Sequence, residues 1–174
     1  MTTDRKQRTR PDSEGFIPYF LWRWLEKLIG IRLTMTFYPP YLGAGVRLKK
    51  LSKEYDHIIV EMKQRFWNTN YVGVHFGGAL YAMCDPFYMF MLMKRLGPSY
   101  MVWDQAANIE FLRPGKGTVV AEFRLSDEEL QRIKNTVEEQ RKSTEEFELD
   151  ILDSDKKVVA HVKKKIYVRK LRRT

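Results

Sequence analysis

One stretch limits what this chain can fold into. Between Gly73 and Met93 the titratable polar groups are His75 and Asp85, apart from Cys84 and the tyrosines. A run this apolar must be buried on most sides. It opens on turn residues from Asn70 to Gly73 and stays apolar to about Leu96. The segments on either side alternate like strands and can do the burying. The run therefore reads as a core helix with a functional N-terminus at Gly77 and Gly78. By residue count Tyr71 to Met93 could also span a bilayer. Asp85 and Pro86 at its middle argue against that, as do flanking amphipathic strands that need a helix to cover.

The chain has 174 residues, 44% of them apolar, which suits one domain with a sizeable core. A single cysteine, Cys84, excludes an intrachain disulfide framework and a cysteine-cluster metal site. It favours a reducing compartment, and the polar, charged start from Met1 to Gly15 shows no secretory signal, so a cytoplasmic location is expected. The net charge is +9. Much of the excess lies at the ends: Arg5, Lys6, Arg8 and Arg10, then Lys163 to Lys165, Arg169, Lys170, Arg172 and Arg173. Such ends suit a solubilising role, or an anionic partner. No zinc-finger spacing, RNA-binding signature or helix-turn-helix pattern is present, so nucleic acid is not expected as a partner.

In chain order, residues 1–15 read as a disordered or loosely attached basic tail. Residues 16–30 read as an N-terminal helix, with Leu21, Leu25 and Leu28 at helical spacing and Gly30 as its stop. That helix either packs on the domain or rests on a membrane surface, for which Trp22, Arg23, Trp24 and Lys27 are suited. Pro39 and Pro40 break the chain. Residues 43–50 and 57–64 alternate as two strands around a turn at 52–56. After the central helix, 101–112 and 119–125 read as strands joined by a hairpin turn at 113–117. Ser126 and Glu129 form a capping box for a helix carrying Leu130, Ile133 and Val137 on one face. Residues 145–152 and 157–168 are the last strands. The fold class is thus α+β, with six mostly antiparallel strands and one central helix, in a single domain over 16–174.

Asn70, Gly73, Gly77, Gly78 and Asp85 form the pattern Asn-x2-Gly-x3-Gly-Gly-x6-Asp. This resembles the signature of hotdog-fold thioesterases, most nearly the phenylacetate-degradation-type acyl-CoA thioesterases, or a less characterised branch of that superfamily. Residues 109–117 resemble the family's third-strand ending and turn, and the likeness covers roughly Tyr41 to Val168. It implies a curved antiparallel sheet wrapped around one long helix, and sites formed at a dimer interface, hence a homodimer or a dimer of dimers (a homotetramer). It implies an acyl-CoA or acyl-carrier thioester as substrate. No cofactor is expected beyond the coenzyme A moiety of that substrate, and no metal. One departure stands out: the family's histidine immediately precedes the two glycines, whereas here that position is Phe76 and His75 comes one earlier.

Physical chemistry gives these residues roles beside the resemblance. Glycines at a helix start expose amides with no side chain in the way, and those amides can polarise a thioester carbonyl. Asp85 lies nearly two turns beyond Gly78, about 10 Å along the axis, so an acid from a partner helix would close the gap. Asp85 is the candidate general base or nucleophile, or else a structural acid. Asn70 orients water or holds the turn. Pro86 removes a helix donor and should bend the helix or free a carbonyl. The candidate catalytic set is Asp85, Gly77, Gly78, Asn70 and His75. Phe76, with Asp104 and Asn108 on the next strand, is the candidate substrate-binding set. Asp104 and Asn108 share a parity there, and surface exposure is their alternative. Phe87, Met89, Phe90, Met91 and Met93 line either the core or an acyl groove.

The leading reading is a thioester hydrolase. Its rival is a non-catalytic acyl-ligand-binding or assembly domain on the same fold, favoured by the displaced His75. A peripheral membrane protein and a hydratase on this fold are further alternatives. The hydratase needs an Asp–His pair on the helix-opening turn, and no aspartate lies between Asn70 and Gly78.

Overall fold

The computed structural model describes residues 17–171. The basic tail at 1–15 and the last three residues lie outside that range. Two compact units divide the chain after Thr34. Helix α1 (Ile17–Thr36) begins in the first and is interrupted at Gly30, whose φ of 79° and ψ of 155° are non-helical. The left-handed φ is open to glycine and breaks the helix where a stop was expected. The chain then resumes helix instead of ending, and the Thr34 hydroxyl donates to the Gly30 carbonyl at 3.0 Å. Leu21, Trp24 and Leu28 on this helix are exposed.

The second unit holds the sheet. Its elements are α2 (Pro39–Ala44), β1 (Val46–Leu51), β2 (His57–Lys63), a 3-10 turn (Phe66–Asn68), α3 (Gly77–Ala82), α4 (Phe87–Leu96), β3 (Tyr100–Phe111), β4 (Thr118–Arg124), α5 (Asp127–Gln140), β5 (Lys142–Leu152) and β6 (Val158–Lys170). The six strands form one antiparallel sheet in the order β1-β2-β4-β5-β6-β3. Period-two alternation puts Ile58, Val60 and Met62 on the same buried side as Val119, Ala121 and Phe123.

The central helix covers that side. Phe87, Tyr88, Met91 and Leu92 of α4 are buried. Phe87 and Tyr88 pack on Phe123 at centroid distances of 5.0 and 5.2 Å, and Tyr88 stacks on Phe147 at 4.4 Å. Burying each side chain of this size contributes roughly 1.5–3 kcal/mol. Phe87 and Met91 thus belong to the core, while Met93 at the far face is exposed. The central helix has two segments, α3 and α4, separated by residues 83–86. Pro86 supplies no amide, and tighter bonds close the gap, from Cys84 N–H to the Tyr81 carbonyl and from Asp85 N–H to that of Ala82. No helix among the described residues is long and apolar enough to cross a membrane. The capping box of α5 forms as expected: Ser126 Oγ accepts from Glu129 N–H at 3.1 Å, and Ser126 N–H donates to Glu129 Oε2 at 3.0 Å.

Two expectations are corrected. Strands β3 and β4 are not a hairpin, because β5 and β6 lie between them. The polar groups around 113–117 go elsewhere: Leu112 and Arg113 N–H donate to the Val159 carbonyl, and the Gly115 and Gly117 carbonyls accept from His75 and Gln64. Asp104 and Asn108 do not share a face. Asp104 pairs with Ile166 and Ala106 with Lys165, so Gln105 is an extra residue in β3. Such a bulge inverts the parity beyond it. Asp104 therefore lies beside buried Ile166, and Asn108 beside exposed Lys163, where it is exposed itself.

Candidate functional site

The segment that leads into α3 is built by side-chain amides. Asn70 Oδ1 accepts from Val72 and Val74 N–H at 3.1 and 3.2 Å, and its backbone N–H donates to the Val74 carbonyl at 2.8 Å. Gly73 supplies the positive φ of 81° that closes this turn. Asn68 is buried. Its Oδ1 accepts from Arg65 N–H at 2.7 Å, and its Nδ2 donates to the Ala44 and Lys63 carbonyls at 2.9 and 3.0 Å. Gln64 ties the segment to the 113–117 turn: Nε2 donates to the Gly73 carbonyl at 3.0 Å and Oε1 accepts from Gly117 N–H at 3.0 Å.

His75 belongs to the same framework. It is 2% exposed, and its Nε2 meets the Gly117 carbonyl at 3.0 Å. A carbonyl can only accept, so Nε2 carries the proton and Nδ1 is the bare nitrogen. Nδ1 has no partner among the described residues. Burial lowers the pKa of His75, opposed in part by the bond to Gly117, so the ring is neutral at pH 7. Its ring lies against Gly115: a Cβ there would stand 3.4 Å from His75 Cδ2 and 2.9 Å from Val159 Cγ1.

Gly77 and Gly78 open α3 directly after Phe76, which makes no side-chain cap. Their amides are among those a helix leaves without internal partners. Aromatic rings flank both. A Cβ on Gly77 would lie 2.9 Å from Phe111 Cζ, and one on Gly78 would lie 2.4 Å from Phe76 Cε1. Phe76 and Phe111 are both more than half exposed, so these rings form an apolar rim beside the amides.

Asp85 sits at the break between α3 and α4, within a cluster of charges. Its Oδ1 accepts from Tyr81 Oη at 2.8 Å and from Lys164 Nζ at 3.1 Å. Lys164 Nζ also lies 3.2 Å from Asp104 Oδ1 and donates to Tyr81 Oη at 3.3 Å. The approach to Asp104 is an ion pair without hydrogen-bond alignment. The side chain of Lys164 is 1% exposed and that of Asp85 51%. Burial alone would lower the Lys164 pKa, but the charges of Asp104 and Asp85 outweigh it and hold the ammonium protonated. Burial pushes the Asp104 carboxyl up, Lys164 pulls against that, and Asp85 adds to it. Burial likewise pushes up the neighbouring Cys84 thiol, which leaves it inert as a nucleophile. Among the described residues no group of three or more histidine, cysteine, aspartate or glutamate side chains could hold a metal ion.

Of the residues singled out from sequence, the structure joins Asp85 to Asp104 through Lys164. It joins Asn70 and His75 to the turn framework, and leaves Asn108 on the outer face. Lys164, Tyr81, Asn68 and Gln64 were missed. Two signals could have found the first pair. Lys164 has the parity of Val162, Ile166 and Val168, the buried side of β6. Tyr81 precedes Asp85 by four residues, one helical turn.

Residues 27–168 match the family described as "Domain of unknown function (DUF4442)". The chain belongs to this family. The fold is the hotdog fold. No protein of curated function matches the sequence. Several solved structures share the fold. A Pseudomonas aeruginosa protein of unknown function, described as a probable thioesterase, is 22% identical with a TM-score of 0.66, over 88% of this chain and 97% of that one. The Escherichia coli PaaI protein from the phenylacetic acid degradation operon is 16% identical with a TM-score of 0.56, over 88% and 96%. A Streptococcus mutans protein solved with acetyl-CoA is 19% identical with a TM-score of 0.52, over 74% and 91%.

Proposed function

We propose that this DUF4442 chain hydrolyses an acyl thioester, carried on coenzyme A or on an acyl-carrier protein, at a site completed by two copies of the chain. The observation that carries the reading is Asp85: a half-exposed carboxylate, fixed by Tyr81 and Lys164 at the break in the central helix of a hotdog fold. Structural neighbours include a probable thioesterase and an acetyl-CoA complex, which supports the substrate class. The net charge of +9 suits a ligand bearing phosphates.

In this mechanism Asp85 of one copy accepts a proton from water as the water oxygen bonds to the thioester carbon. The carbonyl oxygen becomes an oxyanion, held by the Gly77 and Gly78 amides of the other copy. Collapse re-forms the carbonyl, breaks the carbon–sulfur bond and releases a carboxylic acid and a thiolate. The proton taken by Asp85 passes to that sulfur. Phe76 and Phe111 supply apolar surface for the acyl group. The twelve residues of β3 lie at one edge of the sheet, with Trp103 exposed, and offer a row of backbone groups for a second copy.

A non-catalytic acyl-binding domain is the second reading, favoured by His75, whose ring is turned to the 115–117 backbone. Thiol release from short, medium, long and aryl acyl-CoAs separates the two. Wild-type turnover is expected, with a loss of about 10²–10⁴-fold in kcat for Asp85→Asn. A folded wild type that hydrolyses none of them, or an Asp85→Asn variant of unchanged kcat, overturns the hydrolase reading.

A further inference from the structure

Lys164 takes part in none of the proton transfers above, yet its position is hard to account for by packing alone. It occupies the buried side of β6 between Val162 and Ile166, both 0% exposed. A third aliphatic residue there would avoid the cost of removing an ammonium from water. Its own chemistry is constrained. Three oxygens lie within 3.3 Å of Nζ, as many as an ammonium has protons. The Lys164 side chain is 1% exposed and surrounded by these oxygens, so it acts through its neighbours and not on a substrate directly.

The neighbours show an asymmetry. Tyr81 and Lys164 both donate to Oδ1 of Asp85. Among the described residues no donor is bonded to Oδ2. The cation is buried and the carboxylate half exposed, so Oδ1 is held to a buried group while Oδ2 carries no such bond. Asp104, from the bulged part of β3, meets the same ammonium and holds it between two strands and a helix. The groups facing Asp85 are thus Tyr81 from α3, Lys164 from β6 and, through Lys164, Asp104 from β3. Tyr41 of α2 and Cys84 also feel its charge.

We propose that Lys164 and Tyr81 are positioning residues that tether Oδ1 of Asp85, so that Oδ2 is the oxygen that takes the proton of the attacking water. This rests on the thioesterase reading of the same site.

The test compares wild type, Tyr81→Phe and the double variant Lys164→Met/Asp104→Asn, which removes a cation and an anion together. Turnover of the best acyl-CoA is measured across pH 5 to 9, and each protein is crystallised. Tyr81→Phe is expected to lower kcat about tenfold through loss of the hydroxyl that donates to Asp85 and accepts from Lys164, with KM unchanged. The double variant is expected to lower kcat about 100-fold with KM little changed, as a displaced catalytic group does, and to release the carboxylate from its position. Folded variants with kcat within twofold of wild type overturn the proposal. If the double variant does not fold, Tyr81→Phe decides alone. If wild type hydrolyses no thioester, the functional reading fails separately. The crystals then decide: an Asp85 carboxylate unmoved in the variants overturns the tether, and a displaced one sustains it.

Discussion

Replacing Lys164 with methionine keeps the length of the side chain and removes its charge. Two carboxylates, 3.1 and 3.2 Å from the ammonium, then lose their cation. Removing one partner of a buried ion pair costs about 3–5 kcal/mol. Asp85 is half exposed and recovers water, so most of the loss falls on Asp104, and the low end, about 3 kcal/mol, is expected at pH 8. For a chain of this length that is about 6–12 °C in Tm. The deficit depends on pH with a definite sign. Burial already raises the Asp104 carboxyl above its ordinary 3.8, and the variant lacks the cation that pulls it down. A group with a raised folded-state pKa contributes stability that is present at low pH and lost as pH rises through that value. The variant should therefore come closer to wild type as pH falls from 8 to 5. Urea unfolding at pH 5, 6, 7 and 8 measures this directly. Adding Asp104→Asn to Lys164→Met should recover at least half of the loss at pH 8 and little at pH 5. A deficit that is the same at every pH, and that Asp104→Asn does not relieve, would mean that the lysine stem matters only for packing.

His75 gives the opposite sign. Burial lowers its pKa below the ordinary 6.5, so stability is intact above 6.5 and is lost as pH falls through the folded-state value. The slope in that window approaches about 1.4 kcal/mol per pH unit. His75→Gln should flatten that part of the wild-type curve, and an unchanged slope between pH 6.5 and 5 would count against a buried neutral imidazole. Asn68→Ala strands an amide and two carbonyls, at an expected cost of about 2–4 kcal/mol in urea unfolding. A cost under about 0.5 kcal/mol, the usual range for surface changes, would show that the segment before α3 does not depend on it.

Most of the fold could be read because its strands bury one side. Alternation in 57–63 and 158–168 fixes which residues face inward, and a one-residue slip would reverse them all. The capping box at Ser126 and the break near Pro86 follow from local chemistry in the same way. Pairing order could not be read, because the sequence of β3, turn and β4 looks like a hairpin. What prevents one is long-range: the polar groups of that turn bond to Gln64, His75 and Val159, residues remote in the chain.

The site was half legible for a related reason. Asp85 stood out because an acid in an apolar run is costly without a partner. Its partner did not, because Lys164 lies between Lys163 and Lys165 and the three read together as a basic surface. Parity separates them: Lys163 and Lys165 are exposed and pair with Glu148 and Glu146, while Lys164 points the other way. Asp104 was linked instead to Asn108, a link that the extra residue Gln105 removes. Bulge and lysine belong to one arrangement. The bulge leaves Asp104 on the inner side of β3 while turning Asn108 outward, and the lysine meets Asp104 from β6 and Asp85 from the helix break. A charge cluster spanning three elements leaves no motif in any one of them. What it does leave in sequence is a charged residue on a strand's apolar side and an acid in a helix's apolar run, each of which calls for the other.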